Sequence, residues 1–402
     1  MKEQTKRLGW AGKGVLIFGG MLPAISTGTI SVMLPGISEA FGAGGDSSLL
    51  ITMVATAAGL GMMVGAPVGG YLADRIGRRA VLTGSMGLFA LFGLSALLVN
   101  ELWQLIGARF VIGLAAGAMG ATFIATIADF FDDLSQGKWL GINAATATLF
   151  VIILNPIAGI LVDTGWRNGF VIYAAALPIL LLVIIGIPGG TEAPDSDGND
   201  TGYLALLRGI PRIGQTALLA TIGGTLAMGT VLYWPFRLRE LGVTSAEQLS
   251  YYYLPNVTVV FLAAISYGLV RRKLSVNQVF AVCGALSAFG LVVMAFAPTP
   301  LVAAIGLTIE GGAIGLMTPN LSLYAISIAP TYARARVVGM MKSVYYGSPF
   351  LTQFALEGIN SLAGIPATLL AIAAMSGFLM LYMVIEIRRG HEVAPAVPAV
   401  GT

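Results

Sequence analysis

Very few side chains in this sequence could do chemistry, and each stands out against an apolar background. Glu310 lies in the run GLTIEGGAIGLMTPNLSLY, about ten residues into an apolar stretch and far from either end. A carboxyl at that depth in a membrane is costly to ionise and is a functional candidate by default. The natural chemistry for such a group is loading and releasing a proton. Glu310, Ala313, Met317, Asn320 and Tyr324 follow 3-4-3-4 spacing and share one helix face. An acid, a thioether, an amide and a phenol on one face suit the lining of a cavity. Arg109 opens ARFVIGLAAGAMG, where Gly113 and Gly117 would present a smooth stripe to a neighbouring helix. Arg109 is expected to be buried and to work with Glu310 on proton or substrate; the alternative is that it snorkels to the outer interface. Lys342, followed by Tyr345 and Tyr346, could bind an anionic substrate or reach the cytoplasmic headgroups. Asn155, within NPIAGI, joins Lys342, Tyr345, Met317, Asn320 and Tyr324 as a candidate lining residue.

A second group of charges lies in a tight loop, Gly69-Gly70-Tyr71-Leu72-Ala73-Asp74-Arg75-Ile76-Gly77-Arg78-Arg79. Asp74 and Arg78 are four apart, and Asp129 closes a later apolar stretch. Ion pairs of this kind can form in one conformational state and break in another. A carboxylate is also favoured near a helix N-terminus by the helix dipole.

The elements that must hold these residues follow from composition. Of the 402 residues, 10% are charged and 56% hydrophobic, against about 25% charged in soluble domains. A spanning helix needs roughly 20 apolar residues. The chain offers twelve candidates, at about 14–38, 47–73, 79–99, 102–128, 138–163, 168–188, 212–236, 247–270, 274–297, 300–329, 336–361 and 365–387. With the N-terminus in the cytoplasm, 17 Lys and Arg fall on inner segments and 3 on outer ones. That bias predicts cytoplasmic termini. The segment 189–211 is expected to be a cytoplasmic linker between bundles 1–188 and 212–390, with 391–402 as a tail. A weak repeat at an offset of 198 supports two related halves: Gly70-Tyr71-Leu72 matches Gly268-Leu269-Val270, and Gly141 matches Gly339. The fold expected is therefore an all-α membrane protein of twelve transmembrane helices in two pseudo-symmetric six-helix bundles. Cys283 is the only cysteine and His391 the only histidine, so neither a disulfide nor a histidine metal site is expected. No nucleophile–base pair, zinc spacing or phosphate loop points to an enzyme. A net charge of +3 gives no reason to expect nucleic acid.

The loop 69–79 resembles the signature loop of the major facilitator superfamily, and 109–117 resembles a motif of that family's fourth span. The resemblance implies a secondary transporter working by alternating access as a monomer in a bacterial inner membrane. It implies no cofactor, with the proton gradient as driving force and a small molecule as substrate. It also implies that Asp74, Arg75, Arg78 and Asp129 form a conformational latch, Asp74 facing the start of span 11. Arg272 stands at the Asp74 equivalent in the second half, so the latch should be asymmetric. The family's drug–proton antiporters often carry GPxxGG late in span 5; this chain has Asn155-Pro156-Ile157-Ala158-Gly159-Ile160. Proton-coupled export of a drug or metabolite is the expected function. The alternative is uptake of a small metabolite or anion, and a sensor on a transporter scaffold comes last.

Overall fold

A computed structural model describes residues 9–41, 46–188, 209–210, 212–243 and 246–390. The expected linker 189–211 falls almost entirely outside these, as do His391 and the tail. Every regular element among the described residues is helical. Among the described residues, ten helices are long and apolar enough to cross a membrane, where twelve were expected.

The difference arises at two places. The first expected span is three short helices, α1 (Trp10–Phe18), α2 (Met21–Gly28) and α3 (Ile30–Phe41). Pro23 has no N–H to offer the Gly19 carbonyl, which interrupts the ladder at Gly19-Gly20. The second interruption, at Thr29, has a different cause. The Ser26 carbonyl would accept from Ile30 in a continuous helix, but the guanidinium of Arg109 takes it at 2.6 Å. A side chain inserted into the ladder breaks a helix in this way. At the other end of the chain, one helical stretch runs from Arg334 to Arg388, with a single non-helical residue, Gly364, at φ 78°. The expected boundary between the last two spans fell at the same point.

The remaining helices are α4 (Asp46–Ile76), α5 (Arg78–Ser95), α6 (Leu102–Phe130), α7 (Asp133–Asp163), α8 (Ala176–Gly186), α9 (Ile213–Glu240), α10 (Ala246–Val270), α11 (Val276–Ala295), α12 (Pro300–Ile328) and α13 (Arg334–Arg388). A 3-10 helix, Trp166–Ala175, precedes α8. Large apolar side chains such as Leu91, Leu181, Ile185 and Phe289 are at least 60% exposed. A soluble protein could not sustain that surface; this is an integral membrane protein, and these side chains meet lipid.

The chain divides into two compact units. One comprises Met1–Phe131, Thr146–Pro211 and Ile328–Tyr346; the other comprises Asp132–Ala145, Arg212–Ser327 and Gly347–Thr402. In the first unit α4 and α6 touch backbone to backbone. A side chain at Gly113 or Gly117 would run into the carbonyls of Ala58 and Met62. Lipid supplies no hydrophobic drive between helices, so this close approach is what holds the pair. In the second unit, Ser275 and Gln278 form a reciprocal cap at the start of α11. Arg237 closes its other end by donating to the carbonyls of Met294, Ala295 and Ala297 at 3.0–3.2 Å. These carbonyls lack partners at a helix C-terminus, and a guanidinium satisfies them with the charge the dipole favours.

The repeat has a structural counterpart in each unit. In the first, Gly70 abuts the backbone of Ala335, and Gly339 abuts that of Ala66 and Pro67. In the second, Gly268 abuts Lys138, and Gly141 abuts the Ala264 carbonyl. The matched glycines therefore mark the places where one helix crosses another too closely for a side chain.

Candidate functional site

Glu310 is 2% exposed, nearly three turns of α12 beyond its start. The hydroxyl of Thr230, on α9, donates to its Oε1 at 3.1 Å. Among the described residues no cation forms an ion pair with it. Among the described residues a carboxyl so placed has one hydrogen-bond donor, no counter-charge and buried surroundings, an unusual environment for an acid.

The rest of its helix face is buried too. Met317 is 2% exposed, Ala313 1%, and Asn320 and Tyr324 are fully enclosed. Their polar tips are spent on neighbouring helices. Asn320 Oδ1 accepts from the Tyr267 hydroxyl at 2.8 Å, and its amide donates to the Val276 carbonyl at 3.0 Å. The Tyr324 hydroxyl donates to Gln215 at 2.8 Å. These contacts tie α12 to α9, α10 and α11, so the same face that presents Glu310 is clamped along its C-terminal half. Asn256 adds a tie on the N-terminal half, donating to the Leu307 carbonyl at 2.6 Å.

Arg109 is fully buried and does not reach an interface. Its Nε donates to the Val54 carbonyl at 3.3 Å, one Nη to the Tyr173 hydroxyl at 2.6 Å and the other to the Ser26 carbonyl at 2.6 Å. Three elements are thus pinned by one side chain: α4, the 3-10 helix and the break between α2 and α3. Neutral acceptors surround the charge, which makes the site a partly compensated cation deep in the first unit.

The charged loop builds a chain of five alternating charges. Gly77, at φ 88°, turns the backbone between α4 and α5 in a conformation that favours glycine. Asp74 then lies four residues before Arg78 and accepts from it at 2.7 Å. Arg78 also donates to Asp129 at 3.0 Å. The other oxygen of Asp74 accepts from the Arg336 backbone N–H at 3.0 Å and from its guanidinium at 3.3 Å. Arg334 completes the chain 3.8 Å from Asp129 and donates to the Ala128 carbonyl. Asp74 therefore meets the first turn of α13, where backbone N–H groups have no helical partner. Arg75 is exposed and lies 4.9 Å over the Tyr71 ring, outside this chain of charges.

Lys342 is 8% exposed, two turns into α13. Its Nζ lies 5.6 and 5.7 Å from the ring centroids of Tyr345 and Tyr346. The Asn155 side chain lies outside what is described. Sequence reasoning missed Arg334 and Arg336 as partners of the loop, although two arginines at the start of an apolar run were a visible signal. It also missed Tyr173 and Thr230, for which nothing in the local sequence gave a signal. Tyr251 is 66% exposed, whereas Tyr233 and Trp234 are buried, Trp234 stacking on Tyr253 at 4.7 Å. No group of three His, Cys, Asp or Glu among the described residues could hold a metal ion.

Comparisons with known proteins agree with this architecture. The model of the Major Facilitator Superfamily matches residues 16–353. The D-xylose transporter of Levilactobacillus brevis is 31% identical over 182 residues, covering 44% of this chain and 37% of that protein. The minor myo-inositol transporter IolF of Bacillus subtilis is 25% identical over 326 residues, covering 74% of this chain and 72% of that one. For several curated relatives the matched part spans only 21% to 49% of their own length. Among solved structures, the proton:xylose symporter XylE superposes with a TM-score of 0.82 at 16% identity, covering 94% of this chain and 95% of that one. At that identity the likeness concerns the fold.

Proposed function

This chain belongs to the Major Facilitator Superfamily, and from that premise we propose that it is a proton-coupled carrier of a small organic metabolite, with Glu310 as the coupling carboxyl. It is a secondary transporter by family. The observation that supports proton coupling is the isolated, buried Glu310 with Thr230 as its hydrogen-bond donor. An ion pair would hold that carboxyl permanently charged; a lone hydroxyl leaves it free to take and give a proton as its surroundings alternate. Uptake is the first reading of direction. Relatives are named for D-xylose and myo-inositol transport, and the solved neighbour is a symporter. Export is the second reading, favoured by the scarcity of charge in the spans, where Glu310, Arg109 and Lys342 are buried.

The chain of five charges is proposed as the latch of alternating access. Asp74 holds the first turn of α13 through a backbone N–H and a guanidinium at once. Release of that turn would draw Arg334 and Arg336 away from Asp129 and Asp74 and leave two acids to Arg78 alone, so held and released forms are separated by a real free-energy step. Arg109 would position the broken first span through the Ser26 carbonyl. The experiment is solute-driven proton movement in proteoliposomes, read by a pH dye in weak buffer. D-xylose, myo-inositol and a panel of small metabolites would be added outside. Symport acidifies the lumen on addition of a transported solute, and antiport alkalinises it. Glu310→Gln should abolish the proton signal. Equal proton movement in wild type and Glu310→Gln would exclude Glu310 as the carrier.

A further inference from the structure

We propose that the transported solute is a small organic monocarboxylate and that Lys342, beside the rings of Tyr345 and Tyr346, is its point of attachment. The proposal rests on the transport reading above and adds a substrate class to it. Among the described residues of the first unit, Arg109 and Lys342 are the buried cations outside the charged chain of Asp74, and the fold treats them differently. Arg109 is supplied with three oxygen acceptors from three elements. Lys342 is 8% exposed, and its ammonium keeps some accessible surface, yet among the described residues neither a carboxylate nor a carbonyl takes it up. Two aromatic rings lie beside it instead.

Helical spacing explains the arrangement. Residues 342, 345 and 346 stand at i, i+3 and i+4, which places both rings beside the ammonium on one face. The ring faces attract a cation and hold it in place without neutralising it. A buried charge without an oxygen partner is costly, and lipid headgroups do not relieve it, because Lys342 lies about two turns, or roughly 12 Å, from the start of α13. What completes the site chemically is an anionic oxygen group brought from outside.

A carboxylate fits better than a phosphate. The site offers one unit of positive charge, and the two electron-rich ring faces disfavour a second negative charge. A monoanion would be neutralised; a phosphate dianion would carry excess charge into a dry site. The rings would also pack against an apolar or aromatic body beyond the carboxylate. Moving such an anion together with one proton transfers no net charge, so the gradient of pH alone could drive it.

The test is binding at equilibrium to the purified full chain, with no gradient imposed. Thermal unfolding and calorimetric titration would compare acetate, benzoate and 3-phenylpropionate with their neutral amides, with D-xylose, and with inorganic phosphate at matched ionic strength. At least one acid should bind while its amide does not. Lys342→Met should weaken that acid roughly ten- to a hundredfold, the range of one lost charged hydrogen bond. Lys342→Arg should retain it. Lys342→Met should also raise the melting temperature of the protein without ligand, because it removes an uncompensated buried charge. Failure of all three acids to bind, undiminished binding to Lys342→Met, or a lowered melting temperature in that variant would each overturn the proposal. Phosphate binding as tightly as the acids would point to a headgroup or free-phosphate site and would overturn it as well. Because no proton movement is measured, failure here leaves the role of Glu310 standing, and Glu310→Gln is expected to bind the acid.

Discussion

Replacing Asp74 by Asn should release the first turn of α13. The size of the effect follows from which contacts depend on the state. The Arg78 contact at 2.7 Å lies within one turn of the same loop, so it persists in both states and contributes little bias. The two contacts with Arg336 are the ones that would be made and broken. Asn can still accept from the Arg336 backbone N–H, but a neutral acceptor is worth about half a charged one. The guanidinium contact is lost outright, and the new amide N–H groups face two arginines. Together these amount to about 2–3 kcal/mol, or a shift of roughly 30- to 150-fold in the ratio of held to released forms. Spin labels at Ile76 and Tyr332, both well exposed, would report the distance between loop and turn. The one native cysteine, Cys283, is buried and would be replaced first. The distance distribution should broaden toward longer values in Asp74→Asn. An unchanged distribution would refute the reasoning, since Asp74 would then not be bearing the load its contacts suggest. A double-mutant cycle with Arg336→Gln sharpens the test, because the second substitution should add little once the first is made.

Other outcomes follow from single contacts. Tyr173→Phe removes an acceptor from Arg109 and leaves one Nη unsatisfied, which should lower stability by about 1–3 kcal/mol, seen as a reduced melting temperature. Gly117→Leu would drive a side chain into the Met62 carbonyl, so folded yield should collapse while Gly107→Leu, in open space, is tolerated; equal yields would deny the close packing of α4 and α6. Asn320→Leu leaves the Tyr267 hydroxyl and the Val276 carbonyl without their partner and should cost about 1–3 kcal/mol, again by thermal unfolding.

Class and environment were legible in the sequence. A chain with 10% charged residues and long apolar runs has one solvent in which it can fold, and the solvent sets helix length. The depth of Glu310 was legible for the same reason, whereas Arg109 and Lys342 left open whether they stay buried or reach an interface. The partners of these charges were not legible. Thr230 is 80 residues from Glu310, Tyr173 is 64 from Arg109, and Arg336 is 262 from Asp74. Local pattern reports which face a residue occupies, while long-range pairing depends on how helices cross. The first span shows the distinction best. Its length and composition read as one helix, yet it is three: Pro23 interrupts it once, and an arginine from another helix interrupts it again by taking a carbonyl that the span needs for its own ladder. Apolar composition determined that the segment would lie in the membrane; only the tertiary structure decided which backbone groups stayed within it and which were given to a neighbour.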